Sequence, residues 1–223
     1  VPLVPQTGAA GTVHLAVRPA GPPHRLLLVG IGVGDEAGWR SAGAALARCA
    51  GTALAKAPGP VDPVLVVLPP ESTDEAVRGL AEGLWLAAYR FRLPDRPERG
   101  DEPKGLTEVL LAVADPARHQ PALDRARAVA EATYLARDLT NTPPAVKSPQ
   151  WFAGRVAAVA EPAGLAVTVR EPEQLAAEGF GGILAVGGGS ARGPRLVECA
   201  WRPPHARTHV VLVGKGITFD TGG

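Results

Sequence analysis

The sequence predicts an α/β fold: an N-terminal α/β domain with a central sheet, a long linking helix and a truncated second α/β domain. Along the 223 residues, apolar positions switch repeatedly between the alternating period of strands and the roughly 3.6-residue period of helices. Hydrophobic residues make up 46% of the chain and charged residues 20%, which is enough apolar material for a packed core. The elements after residue 142 are too few to cover both faces of a sheet, so the second domain is predicted to be incomplete.

The first domain is predicted over residues 1–118. Its apolar runs predict four strands, at 12–18, 25–32, 63–69 and 106–114. The second of these strands is expected to be buried on both faces because its apolar run is continuous. The pattern at 37–57 predicts a helix that ends before Pro58 and Gly59. A Ser/Thr cap, acids in the first turn and leucines at helical spacing predict a second helix at 72–91. The charged, proline-rich segment 92–105 is expected to be an exposed loop.

A long helical pattern over residues 116–141 leads out of this domain, and residues 119–141 are assigned to a linking helix. Two prolines bar its continuation, and Ser148-Pro149 starts the next helix with a serine cap and a proline in the first position. The second domain is predicted over 142–223. Its expected elements are a helix at 149–164, a strand at 165–170, a short helix at 172–179, an irregular glycine-rich turn within 185–194, and strand-like runs at 195–203 and 209–214.

Charge, cysteine content and hydropathy exclude several classes of partner. Lys and Arg total 23 against 22 Asp and Glu, so the formal net charge of +1 indicates neither nucleic acid nor an anionic membrane. Cys49 and Cys199 are isolated in the sequence and form no disulfide or metal motif, which fits a reduced, cytoplasmic location. No signal-peptide pattern and no apolar run near the ~18 residues of a membrane span is present, so a soluble protein is expected.

The ends of the chain are unusual. It contains no methionine, starts at Val1 and finishes on a glycine pair. These features predict a segment that is cut at both ends. A processed or GTG-initiated N-terminus is the alternative.

Three glycine-rich stretches resemble phosphate-binding loops. GVGDEA at 32–37 satisfies G-x-G-x-x-A between a predicted strand and a predicted helix. Asp35 stands where a pyrophosphate would approach, and no acid follows at the distance that ribose recognition requires, so a tight turn is favoured over a dinucleotide site. VGKG at 213–216 lacks the other residues of a P-loop. The stretch within 185–194 is not followed by a helix N-terminus, so a turn is favoured there too.

Histidines give little indication of a site. His14, His24 and His119 are isolated in the sequence. His205 and His209 have metal-like spacing, but the segment PPHARTH lacks the glutamate and the helical setting of an HExxH motif. Surface histidines are therefore favoured over metal ligands.

The strongest functional indication lies in HVVLVGKGITFDTGG, residues 209–223. A lone lysine at a strand end is usually solvated, and an aspartate among Thr and Gly is usually a turn former. This setting is more specific, because VVLVG predicts a buried strand and ligands collect at the carboxyl ends of such strands. Glycines at 214, 216, 222 and 223 leave the surroundings of Lys215 and Asp220 without side chains. This is typical of a site in which a ligand must come close to the backbone.

VGKGITFDTGG closely resembles the signature of the leucyl aminopeptidase family, the cytosol aminopeptidases of peptidase family M17. GLWLAAYRF, ARDLTNTPP and GGILAVGGGSARGPRLVECAW, with the spacing between them, extend the resemblance over roughly residues 80–223. It implies that Lys215 ligates one divalent metal ion and that Asp220 bridges two. It further implies two manganese or zinc ions, with magnesium also used in the family. The complete enzyme is then expected to release leucine-like N-terminal residues from peptides as a cytoplasmic homohexamer.

Lysine and aspartate suit metal-assisted hydrolysis. A lysine amine must be neutral to ligate a metal, and its reference pKa near ~10.4 makes deprotonation at pH 7 cost about 4.6 kcal/mol, which coordination must offset. A carboxylate can bridge two ions ~3.5–4 Å apart, and such a pair can activate water and polarise an amide carbonyl.

In the family, the other acidic ligands, a second lysine that polarises the substrate and an arginine that holds a bicarbonate base all follow the FDTGG motif. No catalytic residue is therefore assigned in this chain. It is expected to be an N-terminal domain plus the beginning of a catalytic domain, and to be inactive alone. Two alternatives stay open: a non-catalytic binding or assembly module, and a nucleotide-binding α/β protein that uses GVGDEA.

Overall fold

The computed structural model describes residues 8–18, 21–23, 25–54, 63–92, 106 and 108–218. The strands are β1 (Val13–Val17), β2 (Arg25–Val29), β3 (Val64–Val67), β4 (Val109–Ala112), β5 (Ala166–Arg170) and β6 (Leu196–Ala200). The helices are α1 (Glu36–Leu54), α2 (Asp74–Ala88), α3 (Pro116–Asn141), α4 (Pro149–Ala160), α5 (Pro172–Ala177) and α6 (Gly181–Gly187). Helices and strands are interspersed along both halves of the chain, so the predicted α/β class is confirmed. All but the first residue of the predicted 92–105 loop lies outside the described residues.

The chain divides into two compact units, residues 1–138 and 139–223. In the described part of the first unit, the strands form two pairs. β1 and β2 are antiparallel, with Val13 opposite Val29. β3 and β4 are parallel, with Val64 opposite Val109, and α2 provides the crossover that parallel neighbours require.

The core of the first unit lies between α1, α2 and one face of the strands. Leu46 of α1 and Leu80 of α2 are buried there, and Leu27 of β2 packs against the same cluster. On the opposite face of β2, Leu26 and Leu28 are 41% and 47% exposed. The prediction that β2 is buried on both faces is therefore wrong, because in the described residues α1 and α2 cover only the Leu27 side.

α3 covers residues 116–141, as the sequence predicts. Near its start, the His119 Nδ1 atom lies 2.7 Å from Asp74 Oδ1 at the beginning of α2. Near its end, the Arg137 guanidinium donates a hydrogen bond of 2.9 Å to the Leu86 carbonyl near the end of α2. Both contacts follow the same order along the two helices, so α2 and α3 run in parallel.

In the second unit, β5 and β6 pair antiparallel, with Ala166 opposite Ala200. α4 packs against both strands. The Ser148 hydroxyl accepts a 3.1 Å hydrogen bond from the Trp151 N–H, and Pro149 is the first helical residue. The predicted start of this helix is therefore confirmed, and its reason is the local capping chemistry that the sequence contains.

Two features of the second unit differ from expectation. The sequence predicts no helix at 181–187, yet α6 forms there because the N–H groups of Ile183 and Leu184 donate to the Phe180 carbonyl. The irregular glycine-rich turn is thereby confined to residues 188–192.

The predicted final strand at 209–214 is absent, and that prediction is wrong. Val210 and Val211 are 70% and 68% exposed, and Leu212 and Val213 are 91% and 94% exposed. The apolar pattern is suited to a strand, but a strand also needs a neighbour to bond its backbone. Across the described ranges, no strand pairs with this segment.

Candidate functional site

Lys215 lies in an irregular segment, residues 201–218, which follows β6. The lysine is exposed, and Ile217 beside it is 60% exposed. An exposed lysine keeps its amine accessible to a ligand. Asp220, the other predicted ligand, lies outside the described residues, as do Gly222 and Gly223.

Next to Lys215, the backbone lies directly against the ring of Phe152 on α4. A Cβ atom placed on Gly216 would be 2.9 Å from Phe152 Cε1, which is closer than real Cβ contacts. A Cβ atom on Gly214 would meet nothing within 4 Å. Gly216 thus packs against a side chain of the fold, whereas Gly214 has open space beside it, and the expectation that these glycines serve a functional site stays a prediction. The sequence contains the glycine as a signal, but it does not indicate Phe152 as the neighbour.

Lys147 is hydrogen-bonded to backbone carbonyls of α3. Its Nζ atom donates hydrogen bonds to the carbonyl oxygens of Leu139 and Thr140, at 3.0 and 3.4 Å, in the last turn of α3. A cation suits this position because the last carbonyls of a helix lack intrahelical partners and carry partial negative charge. Of the two lysines in the second unit, Lys215 is thus the one available for a ligand.

The glycine-rich turn at 188–192 is tied to the segment that follows α3. The Arg192 guanidinium donates a 3.0 Å hydrogen bond to the Ala145 carbonyl. The Arg192 N–H also donates to the Ser190 hydroxyl at 3.1 Å, which closes the turn. These bonds use the polar groups of the turn for structure, consistent with the preference for a turn over a phosphate site.

A divalent metal needs more donors than the described residues bring together. No three His, Cys, Asp or Glu side chains cluster as a metal site in the part of the chain that the structure describes. His205 and His209 are both exposed in the irregular segment, as expected for surface histidines. One accessible amine suits a single coordination position and does not hold an ion alone. The assignment of Lys215 and Asp220 as metal ligands thus stays a prediction.

GVGDEA forms the tight turn that the sequence favours. Gly32 and Gly34 have positive φ angles of 64° and 80°, which other residues rarely adopt. The Asp35 carboxylate accepts a 2.8 Å hydrogen bond from the Gly38 N–H, so it caps the N-terminus of α1. A pyrophosphate would need that same helix N-terminus. The geometry therefore disfavours the nucleotide-binding alternative.

A cavity of about 510 Å³ lies in the first unit, between α2, β4 and the start of α3. Its lining is mainly apolar, with His119 and Gln120 among the polar groups. His119 contacts Asp74 through Nδ1, and the Gln120 amide donates to Asp124 at 2.7 Å. These groups serve the fold, so the cavity does not indicate a reaction. Among the described helices, none combines the length and hydropathy needed to cross a bilayer.

Known proteins resemble the chain along most of its length. The profile of the cytosol aminopeptidase family, N-terminal domain, matches residues 6–93, and that of the catalytic domain matches residues 134–223. A probable cytosol aminopeptidase of Micrococcus luteus is 40% identical in an alignment of 228 positions, gaps included, that covers 97% of this chain and 43% of that protein. One from Syntrophotalea carbinolica is 40% identical, over 91% of this chain and 42% of that protein.

Solved structures are similar as well. The bottromycin maturation enzyme BotP in complex with Mn has a TM-score of 0.71 and 33% identity, covering 90% of this chain and 41% of that one. A mutant tomato leucine aminopeptidase shares the fold with a TM-score of 0.77 at 24% identity, covering 96% of this chain and 43% of that one. The chain spans less than half the length of these relatives. Because both domain profiles match in order, the chain belongs to the cytosol aminopeptidase family.

Proposed function

We propose that this chain is the N-terminal domain and the beginning of the catalytic domain of a divalent-metal-dependent aminopeptidase that releases leucine-like N-terminal residues from peptides. The observation that carries the proposal is the ordered match of both family domains, the second of which encloses positions 215 and 220. The proposed domain limits are 1–118, a linking helix at 119–141, and 142–223.

In the proposed enzyme, Lys215 ligates one divalent ion and Asp220 bridges two. Such ions, manganese or zinc, polarise a peptide carbonyl and lower the pKa of water when bound. The exposure of Lys215 supports its role, because an exposed amine is accessible to a metal ion. The Mn complex of BotP supports a divalent metal. The peptide substrate, the homohexameric state and the cytoplasmic location are proposed from family membership.

The 223-residue chain by itself is proposed to bind metal weakly and to lack hydrolytic activity. Two double charges need several carboxylates to balance them.

The test compares this chain with one extended to the length of its relatives, in leucine-anilide hydrolysis with added manganese or zinc. We expect metal-dependent turnover by the extended chain only. In the extended chain, Lys215→Ala and Asp220→Ala should each lower kcat/KM by about 1,000-fold, or about 4 kcal/mol. Arg207→Ala, which removes another exposed cation of the same segment, is the matched control and should retain turnover.

Two outcomes would contradict the proposal. Clear turnover by the 223-residue chain alone would exclude the proposal that this chain lacks activity by itself. Undiminished turnover by the extended Asp220→Ala variant would exclude the bridging role of this carboxylate.

A further inference from the structure

We propose that residues 210–213, the apolar segment, form a self-association site at which this chain binds the same segment of a second copy as an antiparallel pair of β-strands. Such pairing depends on neither metal binding nor hydrolysis, so it goes beyond the proposed function. It belongs to the 223-residue chain itself, in which the segment is exposed.

The apolar segment is exposed over its whole length. Its four side chains follow one another along the chain, and each is between 68% and 94% exposed. Contiguous exposed apolar side chains are uncommon on monomeric proteins and typically mark an interaction surface. Burial of these side chains against a partner would therefore be favourable.

The backbone of the segment is open to pairing as well. Among the described residues, no backbone hydrogen bond joins 209–214 to another part of the chain. Residues 208–213, THVVLV, contain valines, which favour strands, and no proline, glycine, lysine, arginine or acidic residue. Unpaired N–H and C=O groups of such a run are a template for a second strand. The contact of Gly216 with Phe152 lies beyond the segment and leaves it accessible.

The sequence of the segment is complementary to itself when two copies run antiparallel. With Val211 opposite Leu212 of the second copy, Val210 lies opposite Val213 of that copy. The two-fold symmetry of the pair repeats both contacts, so each of the four apolar residues meets an apolar residue.

The flanking cations favour this arrangement over the alternatives. Parallel pairing in register would place Arg207 opposite Arg207 and Lys215 opposite Lys215, and like charges directly opposite are destabilising. Antiparallel pairing with Val211 opposite itself would place Lys215 opposite Arg207. In the proposed register, Lys215 lies opposite Thr208 and Arg207 lies opposite Gly216. No cation then lies directly opposite another, so the charges permit a second copy as the occupant.

The paired surface is small, so the association should be weak. Stable interfaces bury about 1,600 Å² in total, which four residues on each side do not reach. We therefore expect an apparent Kd on the order of 10–100 µM.

Sedimentation equilibrium of the 223-residue chain, over roughly 1 to 300 µM, measures the apparent Kd of self-association. Val211→Lys should raise this Kd at least about tenfold, because an apolar pair is lost and the added charges of the two copies repel. Val186→Lys is the matched control, since Val186 is 85% exposed but lies in α6, and its Kd should stay within about twofold of wild type. Both variants should keep the wild-type Tm, because exposed side chains contribute little to packing.

Thr208→Glu tests the register. It places a carboxylate opposite Lys215 of the second copy, twice by symmetry, and should lower the Kd by about 2- to 30-fold. Parallel pairing in register would instead place two glutamates opposite each other, and the Kd would rise. Thr52→Glu, at an exposed threonine of α1, is the control for the change in net charge and should stay within about twofold of wild type.

Three results would overturn the proposal. The first is a chain that stays monomeric over the whole concentration range. The second is a Val211→Lys variant that associates as tightly as wild type, which would place the contact on another surface, such as the exposed face of β2. The third is a Thr208→Glu variant with a raised Kd, which would exclude the antiparallel register.

Discussion

Glycines determine how closely α1 and α2 approach. A Cβ atom on Gly83 of α2 would lie 2.0 Å from the Arg40 carbonyl oxygen, and one on Gly43 of α1 would lie 2.2 Å from the Leu80 carbonyl oxygen. Any side chain at these positions would collide with backbone, which cannot rotate away. The two helices therefore pack with their backbones in contact.

Gly83→Ala should lower the free energy of unfolding by about 1–3 kcal/mol, because an added methyl group forces the helices apart. Gly51→Ala in α1 is the matched control, since its Cβ position has nothing within 4 Å. There, alanine should raise the free energy of unfolding by about 0.5–1 kcal/mol through its higher helix propensity. Urea unfolding measures both, and effects of the same sign would contradict the close contact.

Glu36 joins two arginines at the same helix pair. Its carboxylate accepts hydrogen bonds from Arg78 Nη2 at 2.5 Å and from Arg40 Nη2 at 2.6 Å. The Arg78 hydrogen bond has the largest effect and lowers the pKa of Glu36; desolvation opposes it, and the charges of Arg78 and Arg40 lower the pKa further. A carboxyl group with a lowered folded pKa adds stability above its unfolded pKa of about 4.3, and loses it as pH falls through the folded value.

Wild type should therefore lose stability on acidification below about pH 4.3 more steeply than Glu36→Gln does. At pH 7 the variant should be less stable by about 1 kcal/mol or less, since both partners are partly exposed. Urea titrations at several pH values between roughly 3 and 7 give the unfolding free energies of wild type and Glu36→Gln for comparison. Glu131→Gln, on an exposed part of α3, is the control. Parallel pH profiles for wild type and Glu36→Gln would refute the role of Glu36.

At the scale of elements, a second ion pair between α1 and α2, besides that of Glu36 with Arg78, involves a buried carboxylate of α2. Glu82 is 5% exposed and accepts a 2.8 Å hydrogen bond from Arg40 Nε, whose side chain is 39% exposed. A buried carboxylate is tolerated when it is paired, and removal of one partner leaves the other charge uncompensated.

Arg40→Met should accordingly destabilise the protein by about 2 kcal/mol, less than the cost at a fully buried pair because Arg40 is partly solvated. Adding Glu82→Gln should recover part of the loss, since the uncompensated charge is then removed. A double-mutant cycle from chemical unfolding measures this coupling. Strictly additive losses would show that the pair does not couple α1 to α2.

The elements differ in how well the sequence predicts them. α4 begins where predicted, because Ser148 and Pro149 carry the capping chemistry within a few residues. α6 is missed, because glycines at 181 and 182 oppose helix formation locally while backbone bonds to Phe180 still form the helix. Apolar runs predict the positions of β1 to β6, but the run at 209–214 forms no strand, because pairing and covered faces depend on a second segment.

At the scale of the whole molecule, the irregular segment after β6 should be the first described region to be cleaved by trypsin. Arg207 and Lys215 are exposed there, outside helices and strands, whereas Arg48 lies within α1. Proteases need a locally extended, accessible backbone, and helices must open before they are cut. Mass spectrometry over a digestion time course should show cleavage after Arg207 or Lys215 before cleavage after Arg48. The reverse order would contradict the exposed state of the segment.

By itself, the sequence determined the α/β class, the family and the extent of α3, because periodicity, capping and a lysine-containing motif are all local signals. Only the tertiary structure decided that α1 and α2 cover one face of β2, that Val210–Val213 have no pairing strand among the described residues, and that Phe152 lies against Gly216. The physical reason is that covering, pairing and contact each depend on a second segment distant along the chain. An apolar run carries the same residues whether a neighbour is present or absent.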